Sequence, residues 1–176
     1  RNHTGDHQGA LALYEEARAP TEASGDRPLL GYVINGVGRA LLDNGRTAEA
    51  IAALREALDL RLDLGQAHLV AESQAFLGEA LAAGGDMAAA MAEIEAVLVY
   101  IDSHRLEDVE DEMRVLLSVY RVLRATGDPR ATAVLTRAYN ALAMAAARLD
   151  EPARSAYLRN VAVNREIVEE WGRGEK

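Results

Sequence analysis

The sequence predicts an all-α fold, a right-handed α-solenoid of antiparallel helical hairpins closed by a C-terminal capping helix, and three observations carry that prediction. The first is internal repetition at a fixed interval. Gly5, Gly45 and Gly85 mark that interval, each followed by a small-then-large apolar pair (Ala10-Leu11, Ala50-Ile51, Ala90-Met91) and then by Tyr14, Leu54 and Ile94. Val37-Gly38 and Leu77-Gly78 recur at the same interval, with Leu41 and Leu81 three positions beyond each glycine. Self-similarity of this length marks a solenoid, whose helical hairpins can bury their apolar faces only against their neighbours. The second observation is composition: 49% of the residues are hydrophobic but only 5% are aromatic, so Ala, Leu and Val supply the core. Ala and Leu favour helix, and Ala lets helices approach closely. The third is punctuation, because Gly, Pro and Asn separate helix-sized segments throughout.

Each element follows from its breakers. Residues 6–19 form the second helix of a hairpin, and Pro20, which lacks a backbone N–H, ends or kinks it. Residues 27–43 form the next helix, with Pro28 suited to its first turn and Asn44-Gly45 at its end. Thr47 caps a helix over 47–64 whose apolar stripe is Ile51, Leu54, Leu58 and Leu62, stopped by Gly65. A helix over 67–83 closes at Gly84-Gly85. Asp86 caps the helix over 87–103, with the stripe Met91, Ile94, Leu98 and Ile101. The helix over 106–126 opens on an acidic turn and ends at Gly127, two positions later than the interval from Gly85 requires. The extra length falls in the His104-Arg105-Leu106 connection, where an insertion costs little. Asp128 and Pro129 start a helix reaching 149, and Asp150 with Pro152 start a last segment that runs to Trp171, with a break between Asn160 and Asn164. That segment has no hairpin partner and covers the apolar face of the unit before it, as the end of a solenoid requires. The chain thus reads as one solenoid domain, 1–176, made of a half hairpin (6–26), two repeats (27–65 and 66–105), a degenerate repeat (106–149) and a capping helix (150–172).

Composition excludes several functions. With no Cys there is no disulfide framework, cysteine zinc site or thiol catalysis. Charges or glycines interrupt every apolar run before it reaches membrane-spanning length. A net charge of −9 opposes direct binding to a nucleic-acid backbone, which demands an excess of Lys and Arg. The first residues, Arg1 to Asp6, carry neither a Met nor an apolar core, so the sequence reads as a cytoplasmic piece of a longer chain.

The residues Val37-Gly38, Leu41, Ala50-Ile51, Leu54 and Ala57, repeated as Leu77-Gly78, Leu81, Ala90-Met91 and Ile94, stand where the tetratricopeptide repeat places its large and small helix-packing residues. The chain resembles that family, and because its period exceeds the usual unit of about 34 residues it is similar to the longer-helix bacterial variety. The stretch Tyr120-Arg-Val-Leu-Arg-Ala-Thr-Gly-Asp-Pro-Arg130, with Tyr157-Leu-Arg-Asn-Val161 and Asn164-Arg-Glu-Ile167, resembles the end of the arrays that terminate multidomain bacterial signalling ATPases, nucleotide cyclases and LuxR-like or MalT-like regulators. The resemblance implies a TPR-like protein-interaction or sensory module, not an enzyme, with any catalytic activity in upstream domains.

No catalytic, cofactor or metal constellation is legible. His3 and His7 share helical spacing but lack a third ligand. His68 and His104 lie at helix ends without evident partners. The run Glu107-Asp108-Val109-Glu110-Asp111-Glu112 lacks the glycine turn of a calcium loop and reads as a helix start favoured by the macrodipole. Gly36-Val37-Gly38 has no preceding strand and no following Lys, so it is no phosphate loop; Gly38 reads as a close helix contact.

Function is therefore expected in the concave groove. If Gly38, Gly78 and Tyr120 are equivalent, the inner face carries Tyr32, Asn35, Arg39 and Leu42, then Glu72, Ala75, Glu79 and Ala82, then Arg114, Leu117, Arg121 and Arg124. This basic, acidic, strongly basic banding suits a protein or peptide partner with an acidic end, because Arg forks grip carboxylates. The competing reading is that Glu72 and Glu79 pair with arginines of adjacent helices. A small-ligand or peptide sensor controlling an upstream ATPase, cyclase or DNA-binding domain is the alternative function. The N-terminal end, with Leu11, Leu13 and Tyr14, is expected to self-associate.

Overall fold

The computed structural model describes residues 7–103 and 111–174, and the described residues form nine α-helices. They are α1 (His7–Ser24), α2 (Arg27–Asp43), α3 (Thr47–Asp63), α4 (Ala67–Ala83), α5 (Met87–Ser103), α6 (Glu112–Thr126), α7 (Arg130–Ala146), α8 (Glu151–Asn160) and α9 (Ala162–Gly174). The turns after α1 to α4 place Gly25, Gly45, Gly65 and Gly85 at positive φ, so one helix with its turn fills half of the repeat period and a hairpin fills the whole. At Gly45, with φ +76°, the reversal is closed by Arg46 N donating to Leu41 O at 2.9 Å and Gly45 N donating to Leu42 O at 2.9 Å. Any residue with a Cβ is strained there, which is why a glycine recurs.

Consecutive helices pack as antiparallel neighbours from α1 to α5, and α6 pairs with α7. The core lies between the two layers. Ile34, Val37 and Leu41 of α2 meet Ala50, Leu54 and Leu58 of α3, and Phe76, Leu77 and Leu81 of α4 meet Ala90, Ile94 and Leu98 of α5. Gly38 and Gly78 sit at the closest approaches. A Cβ at Gly38 would stand 2.6 Å from Leu54 Cγ and 3.2 Å from the Leu54 backbone N, and one at Gly78 would stand 2.8 Å from Ile94 Cδ1. Both glycines thus serve the helix contact that their mid-helix position predicts.

Several expectations need correction. Pro20 does not end α1, which continues through it to Ser24. Burial of Ala10, Leu11 and Thr21 against the array, with Thr21 Oγ1 donating to Ala17 O at 2.7 Å, outweighs the one missing N–H. Thr47 is the first helical residue and not the cap; Arg46 holds the cap position without a side-chain bond, because the Gly45 turn leads straight into the helix. Asp86, by contrast, does cap α5, accepting from Ala89 N at 3.0 Å. Leu62 is 56% exposed, and Arg61 takes the buried slot assigned to it. Helix α7 stops at Ala146, short of Leu149. The break expected between Asn160 and Asn164 is found at Val161, in extended conformation, so the final segment is two helices. The expected start of the α6 helix at 106 and the insertion at His104-Arg105-Leu106 lie outside the described residues, as does His3; the described helix begins at Glu112, with Asp111 accepting from Arg114 N at 3.3 Å.

The third unit departs from the first two in its packing. Helix α6 leans on α4 more than on α5, whereas α4 packs chiefly on α3 and α5. Where α2 and α4 carry a glycine, α6 carries Tyr120, whose ring does not permit the same close crossing. On the outer side, Arg18 of α1 pairs with Glu56 of α3 at 2.7 Å, and Arg130 of α7 pairs with Glu95 of α5 at 2.5 Å. Between α3 and α5 the corresponding positions hold Leu58 and Ala96, which leaves an apolar cleft of about 380 Å³ beside Leu62, Val70, Val99 and Tyr100.

Candidate protein-binding groove

Helices α2, α4 and α6 contribute the inner face, and α9 occupies the next place in that row through its contacts with α6 and α7. Because α6 is pressed onto α4, much of the face is consumed by internal pairing. Tyr32 remains 39% exposed, with its ring edge-on to Tyr14 at 6.4 Å. Asn35 is buried: its Nδ2 donates to Glu72 Oε2 at 3.3 Å, and its Oδ1 accepts from Ser73 Oγ at 2.9 Å. Arg39 lies 5.7 Å from the centre of the Phe76 ring and donates to Asp111 Oδ2 at 3.2 Å.

Glu72 is buried against Arg61, whose Nη1 donates to Glu72 Oε2 at 2.9 Å, Ser73 Oγ at 2.7 Å and Leu69 O at 2.9 Å. Burial pushes the Glu72 carboxyl above the ordinary glutamate range, against the pull of Arg61. Glu79 accepts from Ser118 Oγ and from Arg121. Arg114 is buried against Asp43, and Leu117 is completely buried. Arg121 is held between Glu79 of α4 and Glu166 of α9. Arg124 pairs with Glu170 at 2.5 Å above the Tyr120 ring.

The expected lining therefore separates into two sets. Asn35, Glu72, Arg114 and Leu117 are interior residues and do not face a partner: Asn35 and Glu72 bond to each other, with Ser73 and Arg61 beside them, and Arg114 pairs with Asp43. Tyr32, Arg39, Glu79, Arg121 and Arg124 keep solvent contact; Glu79, Arg121 and Arg124 lie in ion pairs between neighbouring helices of the row, and Arg39 pairs with Asp111 across α4. Among the N-terminal residues, Leu11 is buried, Tyr14 is half-buried and Leu13 is exposed.

Sequence reasoning missed Arg61, Asp43, Glu166 and Glu170. For Arg61 a signal exists, since the position one period later is the buried Ile101. A charge in a slot that is apolar in the neighbouring unit marks a buried pair. Glu166 and Glu170 carry no comparable signal, because their partners lie on α6, 45 and 46 residues away.

Glu170 makes the end of the row sensitive to acid. Burial alone would raise its carboxyl, but the Tyr120 hydroxyl and the Arg124 and Arg173 guanidinium groups outweigh that and hold it below the ordinary value of 4.5. A depressed carboxylate contributes stability above its unfolded value, and loses it as pH falls through the native one. Acid titration should therefore shift the emission of Trp171, the only tryptophan, before the far-ultraviolet circular dichroism of the array changes. Coincident transitions would contradict this.

Comparison with known proteins agrees with the fold. A tetratricopeptide repeat family model matches residues 1–63. No curated protein matches the chain. A solved Podosopora anserina structure of nearly identical TPR-like repeats, assigned to a putative kinesin light chain, is similar with a TM-score of 0.61 at 19% identity, over 99% of this chain and 84% of that one. At that identity the likeness speaks to the fold. The chain is an all-helical TPR-like α-solenoid whose residues 1–63 match the tetratricopeptide repeat family.

Proposed function

We infer that the chain is a protein-interaction scaffold that receives a protein or peptide partner along its inner face. The observation that carries this reading is the exposed remnant of that face: Tyr32 at one end and the arginines of α6 at the other, with Glu79 between them. Aromatic and Arg side chains are the residues that most often anchor protein interfaces. Tetratricopeptide arrays generally act in this way, and the geometry suits a partner that bears carboxylates. As part of a longer bacterial regulator, the array would report partner occupancy to an upstream ATPase, cyclase or DNA-binding domain. The small-ligand alternative has one feature in its favour, a cleft of about 500 Å³ between α6, α7 and α9 that combines Tyr120, Arg124, Leu135 and Trp171.

Selection of binders from a random peptide library, using the described chain as bait, tests the reading. Selected peptides are expected to be rich in Asp and Glu, to lose at least tenfold in affinity against Tyr32→Ser or Arg124→Ala, and to bind Val99→Ser normally. Val99 is 71% exposed on the outer cleft. Peptides that respond to Val99→Ser alone would move the interface to the outer side. Failure to select any binder would favour the small-ligand alternative.

A further inference from the structure

The last helix is docked unlike the others. Helices α2, α4 and α6 bury nine residues each, whereas α9 buries four, of which Asn164 and Glu170 are polar. Besides the buried Val163, its hold on the array is a short pattern used twice. Glu166 meets Arg121, and the next residue, Ile167, is completely buried. One turn later Glu170 meets Arg124 and accepts from Tyr120 Oη at 2.7 Å, and the next residue, Trp171, stacks on Tyr139 of α7 at 4.8 Å and 9°. The seam beside Trp171 is not filled, since the cleft of about 500 Å³ opens there.

The link to α7 is loose in a specific way. Helix α8 buries no residue, and it is tied to the end of α7 by Arg154, which donates to Ala146 O and Leu149 O. Helix α9 is tied in turn to α8, through Asn164 Nδ2 to Tyr157 O at 3.1 Å and Arg165 to Arg159 O at 3.0 Å, across the extended Val161. Rotation at Val161 would lift α9 from α6 and α7 by breaking these two bonds, with no buried residue of α8 to displace.

We propose that α9 is an internal occupant of a helix-docking surface on α6 and α7, and that a partner's acidic amphipathic helix takes its place. The surface supplies its own description of that ligand: two carboxylates one turn apart on Arg121 and Arg124, each followed by an apolar side chain, Ile167 in the core and Trp171 on Tyr139 of α7. This deepens the proposed function, resting on its reading of α6 as part of the partner site, and it makes α9 an autoinhibitory element. A tethered segment competes at an effective concentration of roughly millimolar, so a free ligand meets an occupied surface until the tether's hold is weakened.

The test uses a fluorescein-labelled peptide with the sequence of residues 162–174, titrated into the described chain and into Ile167→Ala and Glu166→Gln/Glu170→Gln variants, with anisotropy as readout. The unchanged chain is expected to bind weakly, and both variants at least tenfold more tightly. A peptide with Lys in place of both glutamates should bind none of the three. Equal binding to all chains, no binding to the variants, or binding of the Lys peptide would each overturn the proposal. Circular dichroism confirms that each variant is folded, and the glutamine pair leaves no cavity should Ile167→Ala unfold. Failure here with library-selected peptides still sensitive to Tyr32→Ser would reject displacement of α9 while leaving the scaffold reading intact.

Discussion

Replacing Arg61 by Met is expected to lower stability by about 3–5 kcal/mol, the usual cost of removing one member of a buried ion pair. Arg61 is completely buried, and one nitrogen joins Glu72, Ser73 and the Leu69 carbonyl. The substitution leaves the Glu72 carboxylate in the interior with Asn35 Nδ2 at 3.3 Å and the attraction of Arg39. Burial already pushes that carboxyl upward, so the variant should take up a proton there. Its deficit should therefore shrink as pH falls, since an acid raised in the folded state favours folding at low pH. Adding Glu72→Gln should recover a large part of the loss, because a neutral amide avoids the cost of a buried charge. Urea unfolding at neutral and mildly acid pH measures all three effects. A loss below about 1 kcal/mol at neutral pH, the range of exposed pairs, would mean that the pair is not buried in solution.

Gly38→Ala is expected to destabilise by about 1–3 kcal/mol, the usual range for overpacking, although Ala gains about 1 kcal/mol over Gly in helix propensity. The added methyl meets Leu54, which is completely buried, and lies 3.2 Å from its backbone nitrogen, so relief requires α2 and α3 to separate. Gly36→Ala is the control. Its methyl would stand 2.4 Å from the ring of Tyr14, a half-buried side chain on α1 that can swing aside. Thermal melts should rank Gly38→Ala well below Gly36→Ala, and the reverse order would show that the crossing of α2 on α3 is looser than described.

The legible parts of this molecule are those governed by neighbours in the chain. Left-handed glycines, the Asp86 cap and the small residues at helix crossings are set within one hairpin, and the repeat displays its glycines and crossings more than once. The candidate site is legible only as a row of inner-face positions. Its exposure depends on how closely α6 packs on α4 and α9, which a single row of positions does not display. Equating Tyr120 with Gly38 places Arg114 and Leu117 on an open face, whereas both are buried, Arg114 against Asp43 of a unit two places away. Arg61 escapes notice because helical periodicity favours Leu62, although comparison with Ile101 marks the correct slot. Pro20 misleads for a related reason, since tertiary burial overrides a local rule.

In an ideal solenoid each unit touches only the next, and the whole behaves as a spring whose pitch yields to load or to a ligand. Arg39 of α2 reaches Asp111 at the start of α6, and Arg114 of α6 reaches Asp43 at the end of α2, so two struts pass over α4 to join units that are not adjacent. Their side chains have little solvent access, so ordinary salt screens them weakly. The first three turns of this spring are therefore tied to one another across α4, whereas the last helix joins the array through the extended Val161.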